Sequence, residues 1–123
     1  MANPFPRKVN KYQAQRTNGY SSKLEASVGA WLELRQKNGE ISELKAQQTV
    51  ELLPGSKINW RVDFSFLEEG VLTYVEAKGF PTEDYKIKLK IWKWSRGSGS
   101  ERLGPLEIYT GRAGNFTLSE RIE

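Results

Sequence analysis

Two carboxylates and a lysine stand at related positions in two neighbouring segments that alternate between apolar and polar residues. Asp63 lies on the polar side of segment 58–66, while Glu76 and Lys78 close the apolar run of the next segment. Residues 68–70 are typical of a hairpin turn, which brings positions 63 and 76 nearly opposite each other. Adjacent carboxylates resist ionising together. A divalent cation between them removes that conflict, and oxygen ligands favour magnesium or manganese. Lys78 would then stand beside the metal and hold a water or a phosphate oxygen.

Each of these residues also has an ordinary structural interpretation. Asp63 can be an ordinary strand residue that faces solvent. Glu76 and Lys78 can simply mark the exposed end of a strand. The three residues together indicate a metal site more specifically than any one of them alone. The combination requires a carboxylate on one strand of a hairpin, Glu-x-Lys on the other, and then a glycine and a helix.

The composition narrows the chemistry further. The chain of 123 residues contains neither histidine nor cysteine. Ser-His-Asp and Cys-His nucleophiles, disulfides and His/Cys zinc sites are therefore excluded, and any general base must be Asp, Glu, Lys, Tyr or backbone. Because no apolar run approaches the length of a bilayer and no signal peptide begins the chain, we expect a cytoplasmic protein without a membrane segment.

The candidate residues need a scaffold, and the sequence predicts an α/β domain with a mixed central sheet. Apolar spacing at i, i+4, i+7 and i+8 indicates a first helix, and alternation indicates an antiparallel meander of three strands. Thr82 is expected to cap the second helix, with acidic residues in its first turn. The predicted order is helix 22–37, strands 45–53, 58–66 and 71–78, helix 82–94, a Gly/Ser-rich loop at 96–104, strand 106–110 and a possible short strand near Phe116 and Leu118.

The net charge lies at the N-terminus. The four basic residues in residues 1–20, which contain no acid, account for the whole net charge of +4. We therefore predict a basic arm over residues 1–20, followed by one folded domain over residues 21–123. Such an arm suits a polyanion such as DNA or RNA, although a solvated tail is an equal alternative. The basic residues are Arg7, Lys8, Lys11 and Arg16.

The spacing from Val62-Asp63 to Glu76-Ala77-Lys78 resembles the signature of the PD-(D/E)XK nucleases. The predicted order, helix–three-strand meander–helix–strand, is similar to the restriction-endonuclease-like core of that family. Ser22-Lys23-Leu24-Glu25 and the strand end VEAKGF resemble phage members, the junction-resolving endonuclease I family of T-odd phages among them. The resemblance covers about residues 20–95 and departs from the signature at Val62, which replaces its proline.

The resemblance implies a magnesium-dependent endonuclease, with manganese able to substitute. Asp63, Glu76 and the backbone carbonyl of Ala77 would bind the metal, and Lys78 would orient or help to deprotonate the attacking water. Glu25 would complete the site through a second metal or a bound water. Ser22-x-x-Glu25 also matches a capping box, which is the alternative interpretation of Glu25.

The resemblance further implies a phage-encoded enzyme that acts on branched DNA such as Holliday junctions. Because a four-way junction requires two cuts, a homodimer is expected. A nuclease of restriction, repair or transposition type and a non-catalytic DNA-binding module are the alternatives. Lysines on the second helix are expected at the DNA backbone, unless they form an ordinary solvated face. Besides the arm, the predicted DNA contacts are Lys23, Arg61, Lys86, Lys90 and Lys93, with Gln47 or Gln48 as a further candidate near the cleft.

Overall fold

Two helices and five strands make up the part of the chain that the computed structural model describes, residues 20–79 and 81–123. The predicted arm, with its four basic residues, lies outside this part except for position 20. The division into arm and domain therefore stays a prediction. In chain order the elements are α1 (Tyr20–Lys37), β1 (Ser42–Glu51), β2 (Asn59–Glu68), β3 (Val71–Ala77), α2 (Glu83–Gly97), β4 (Leu106–Arg112) and β5 (Asn115–Ile122).

The five strands form one mixed sheet in the order β1-β2-β3-β4-β5. β1, β2 and β3 are the predicted antiparallel meander, α2 connects β3 to the parallel strand β4, and β5 pairs antiparallel with β4. The predicted α/β class with a mixed central sheet is thus confirmed, and the arrangement is compatible with a restriction-endonuclease-like core. Within the described residues, no helix is both long enough and apolar enough to cross a membrane.

Two apolar clusters cover the two faces of the sheet. The α1 cluster contains Leu24, Val28 and Leu32 of the helix, and the α2 cluster contains Tyr85 and Trp92. β3 lies between them, which explains why its sequence is apolar on both faces. From the sheet, the α1 cluster takes Phe64, Phe66, Val75, Ala77 and Tyr109, and the α2 cluster takes Val50, Leu52, Trp60, Val62, Leu106, Ile108 and Ile122.

Helix α2 begins where the sequence predicts and ends later. The Oγ1 atom of Thr82 accepts a hydrogen bond from the backbone N–H of Tyr85 at 3.1 Å, so the predicted cap is confirmed. The helix continues to Gly97, past the predicted end at Trp94. Arg96 donates hydrogen bonds to the carbonyls of Glu123 and Leu103 at 2.7 Å and 2.6 Å, and these tertiary contacts support the extra turn.

The C-terminal segment forms a longer strand than the sequence indicates. β5 contains eight residues and pairs with β4 along its whole length, and Ile122 is buried in the α2 cluster. Both outer pairs of the sheet are irregular. The register of β1 on β2 shifts between Ser42 and Lys45, and that of β4 on β5 shifts between Ile108 and Tyr109.

One glycine supports this packing by allowing a close backbone approach. A Cβ atom on Gly104 would lie 2.1 Å from the carbonyl oxygen of Leu72, which no side-chain adjustment can relieve. We expect Gly104→Ala to lower the free energy of unfolding by about 2–3 kcal/mol, as overpacking does elsewhere. Chemical denaturation measures the change. Gly97→Ala is the control, because a Cβ there meets nothing within 4 Å, and an equal effect of both substitutions would contradict the steric explanation.

Candidate active site

The candidate residues lie where β3 parts from β2 and continues along β4. Phe64 and Val75 form the last backbone pair between β2 and β3, so Asp63 and Glu76 are the next residues on each strand. Beyond this pair, the backbone N–H of Ala77 donates to Oδ2 of Asp63 at 2.8 Å. The N–H of Lys78 donates to the carbonyl of Tyr109 on β4 at 2.9 Å. Where the strands diverge, the carboxylate of Asp63 therefore accepts the hydrogen bond that a backbone carbonyl of β2 would accept in a regular pair. The expectation that Asp63 and Glu76 lie opposite each other is confirmed.

Helix α1 adds a third carboxyl group at this fork, that of Glu25. Leu24 and Val28 are buried, which fixes the rotation of the helix and directs Glu25 to the sheet. The carboxyl group of Glu25 lies close enough to Asp63 for the Asp63 charge to raise the pKa of Glu25, and its Oε2 atom accepts a hydrogen bond from the side-chain amide of Gln47.

The capping-box interpretation of Glu25 is wrong. Helix α1 begins at Tyr20, so Ser22 lies inside the helix rather than at its N-cap. The carboxyl group of Glu25 accepts a hydrogen bond from Gln47 of β1, and the charge of Asp63 raises its pKa. The structure thus brings Glu25, Asp63 and Glu76 into electrostatic contact, as the resemblance implies.

Glu76 is a buried carboxyl group that is incompletely partnered. Only 5% of the residue is exposed, and among the described residues its Oε1 atom has no hydrogen-bond partner. Its Oε2 atom lies 3.9 Å from Nζ of Lys78, which is too long for a hydrogen bond. The Lys78 ammonium also lies 5.0 Å from the centre of the Tyr85 ring, a cation–π contact that holds it at the rim of the site.

Burial raises the pKa of all three carboxyl groups. The pKa of Glu76 rises to about 9, mainly through burial and next through the charge of Asp63, and the distant Lys78 ammonium offsets little of this. Burial, followed by the charge of Asp63, raises the pKa of Glu25 to about 7. Burial raises that of Asp63 to about 6, although the Ala77 N–H and Lys78 lower it. At neutral pH the group therefore holds protons that a cation would displace.

The donor atoms fit a hard divalent cation. Among the described residues, no three acidic side chains are arranged to hold a metal ion by themselves. The set that the resemblance implies is different, since it combines the carboxylates of Asp63 and Glu76 with the carbonyl of Ala77. All are oxygen ligands of the kind that magnesium prefers, and the unpartnered Oε1 of Glu76 supplies a free lone pair. The role of each ligand stays a prediction.

The raised pKa of Glu76 makes the stability of the metal-free protein depend on pH. The folded protein binds more protons than the unfolded chain between the ordinary pKa of Glu76, 4.5, and its folded value of about 9. The stabilisation is complete below the first value and is lost as the pH rises through the second. We expect the melting temperature in chelator to fall between pH 5 and pH 9, and Glu76→Gln to flatten this decline. Thermal unfolding is the measurement, and Glu69→Gln, in an exposed turn, should leave it unchanged.

The predicted DNA-contacting residues fall into two groups. Arg61 is exposed two residues before Asp63, and its charge lowers the pKa of both Asp63 and Glu25, which places it near the cleft. Lys23 is exposed two residues before Glu25 on α1. Arg61 thus lies near the site, whereas positions i and i+2 of a helix do not share a face, so a contact of Lys23 with DNA stays a prediction. The arm residues Arg7, Lys8, Lys11 and Arg16 lie outside the described range.

The lysines of α2 lie along the helix rather than around the site. Lys86 pairs with Glu83 at 3.2 Å, Lys93 pairs with Glu120 of β5 at 2.8 Å, and Lys90 is exposed. Surface pairs of this kind are weak, so they leave a DNA contact by these lysines as a prediction.

One prediction about β2 is wrong. The alternating pattern placed Trp60, Val62, Phe64 and Phe66 on one face, but the first two pack in the α2 cluster and the last two in the α1 cluster. The strand therefore changes face at Asp63. On β1, Gln47 lies between the partners of Phe64 and Val62, and its φ of 56° is in the left-handed region. The sequence carries no signal for this change, because glutamine is not typical of left-handed backbone.

Comparison of the chain with models of protein families, with curated proteins and with solved structures finds no match in any of the three.

Proposed function

We propose that this protein is a metal-dependent endonuclease that hydrolyses phosphodiester bonds in DNA. One observation carries the proposal. Three carboxyl groups with raised pKa values, those of Glu25, Asp63 and Glu76, meet where two strands fork, with the ammonium of Lys78 beside them. Perturbed carboxyl groups of this kind are more often found at functional sites than in ordinary cores. The Glu-x-Lys order on β3 fits the nuclease signature.

Each side chain of the site would have its own role in hydrolysis. Asp63 and Glu76, with the carbonyl of Ala77, would hold magnesium or manganese, which would shield the phosphate charge and make a bound water more acidic. Lys78 is partly exposed at the rim, and its point charge suits a single phosphate oxygen. Glu25 has a pKa of about 7 and can hold a water in place or take a proton from it near neutral pH. The hydrogen bond that it accepts from Gln47 links the helix to the strands.

The proposed substrate is branched DNA. The enzyme would be encoded by a phage and would act in the cytoplasm of the host. This part of the proposal rests on the resemblance of the first helix and of the end of β3 to phage junction-resolving endonucleases. Arg61, whose charge lowers the pKa of Asp63 and Glu25, would contact a phosphate beside the site, and Lys23 would contact the DNA from α1. Such contacts position DNA without reading its sequence. A homodimer would supply the two cuts that a four-way junction requires.

The decisive experiment is a cleavage assay with four-way junction, flap, single-stranded and linear duplex DNA. It is run with magnesium, with manganese and with chelator. We expect paired cuts in the junction, little cleavage of linear duplex and none in chelator. Preferential cleavage of another substrate would favour a nuclease of restriction, repair or transposition type. Binding to DNA without cleavage in either metal would show a non-catalytic DNA-binding module and overturn the proposal.

A further inference from the structure

Gln47 has an unusual backbone conformation that no inserted residue explains. Its φ of 56° lies in the left-handed region, which side chains other than glycine rarely adopt. The register of β1 on β2 is the same on both sides of it, since Ala46 pairs with Phe64 and Gln48 pairs with Val62. No residue is therefore inserted here, and the left-handed conformation is not the result of a bulge.

Glu43, in the same strand, provides a comparison. It also has a left-handed backbone, with a φ of 52°. The register of β1 shifts between Ser42 and Lys45, so Glu43 lies within a bulge of the kind that uses this conformation. The strain at Glu43 thus accompanies an inserted residue, whereas the strain at Gln47 accompanies the change of face of β2 at Asp63, beside the proposed site.

The side chain of Gln47 shows what the conformation achieves. Its position on β1 is opposite Asp63, where β2 changes face, and its Nε2 atom donates a hydrogen bond to Oε2 of Glu25. Among the described residues Gln47 is exposed on an outer strand of the sheet, yet its amide reaches a carboxyl group whose pKa the charge of Asp63 raises. Strained backbone that persists at a cluster of functional groups is a recognised sign of a role in that cluster.

We infer that Gln47 is a positioning residue of the proposed active site, which holds the Glu25 carboxyl group in register with Asp63. This inference rests on the proposed nuclease function. The amide occupies one oxygen of Glu25 and thereby fixes the plane of the carboxyl group, while the left-handed backbone turns the amide towards α1. Gln47 contacts neither substrate nor water in this role, and it acts only through Glu25.

Paired substitutions separate positioning from a structural role. Gln47→Gly removes the amide and relieves the left-handed strain, since glycine adopts this conformation freely. We expect its melting temperature to rise by about 2–5 °C, while its single-turnover cleavage rate falls by about 10–100-fold, as for other groups that orient site residues. Affinity for DNA in chelator should stay within about twofold, because the amide contacts no phosphate in this role. Glu43→Gly is the control, and it should raise the melting temperature similarly without changing cleavage.

Gln47→Met tests the amide itself, since methionine keeps the length of the side chain and removes the donor. We expect it to cleave as slowly as Gln47→Gly. Parental cleavage rates in both variants would overturn the inference and leave the nuclease proposal intact. A fall in the melting temperature of Gln47→Gly together with the slower cleavage would show a structural role and would also overturn it. If the parent protein cleaves none of the DNA substrates, the proposed function fails and the inference fails with it.

Discussion

Asp63→Asn is expected to abolish DNA cleavage, with a fall in the single-turnover rate of at least about 1,000-fold, because metal stabilisation of the transition state contributes several kcal/mol. Asparagine keeps the shape of the side chain, and its oxygen can still accept the hydrogen bond that the Ala77 N–H now donates at 2.8 Å. What it loses is the charge. The substitution also removes the repulsion that raises the pKa of Glu25 and Glu76, so the metal-free protein should be at least as stable as the parent.

The measurements are a quenched-flow cleavage assay at saturating protein and a thermal unfolding curve in chelator. Asp84→Asn is the matched control, because Asp84 is a highly exposed aspartate that pairs with Lys88 on the surface of α2. It should cleave at the parental rate. If Asp63→Asn cleaves within about tenfold of the parent, a difference of only 1.4 kcal/mol, Asp63 is not a ligand of the reacting metal.

Lys78→Met is expected to reduce the single-turnover rate by about 100–1,000-fold, the usual cost of losing one fixed group that stabilises transition-state charge. Methionine can contact the Tyr85 ring that the Lys78 ammonium now faces at 5.0 Å. The ammonium lies 3.9 Å from Glu76 and is not a metal ligand. The increase in melting temperature on adding magnesium or manganese, which reports binding of the metal to the folded protein, should therefore remain.

Slower cleavage together with unchanged stabilisation by the metal would distinguish Lys78 from an ordinary phosphate contact. Lys37→Met removes the same charge from the exposed end of α1, and it should weaken DNA affinity slightly at low salt without changing the rate of the bound complex. Equal effects of the two substitutions, confined to affinity, would contradict a role for Lys78 in the reaction.

The meander and the proximity of Asp63 and Glu76 follow from the sequence because both depend on local signals. The hairpin at residues 68–70 is short, so the turn sets the register, and position 63 then falls opposite position 76 by simple counting. The cap at Thr82 is equally local, since one side chain and one N–H three residues later define it.

Other features depend on contacts between distant segments and are not visible in any one segment. The role of Glu25 is decided by the packing of α1, 38 positions away from Asp63. The change of face at Asp63 depends on the backbone of Gln47, which no residue preference indicates. The last turn of α2 is supported by the C-terminal carbonyl of Glu123, and the ion pair of Lys93 requires β5. Periodicity within one element carries no information about such partners.

The irregular pairing at both margins of the sheet has a consequence for association between chains. A flat outer strand offers a row of free backbone groups to which a strand of another molecule can add. In this protein the shift between Ser42 and Lys45 disturbs one margin, and the shift between Ile108 and Tyr109 disturbs the pairing at the other. Among the strands that the structure describes, neither margin therefore offers a long regular template, and this irregularity disfavours growth of the sheet by addition of further chains.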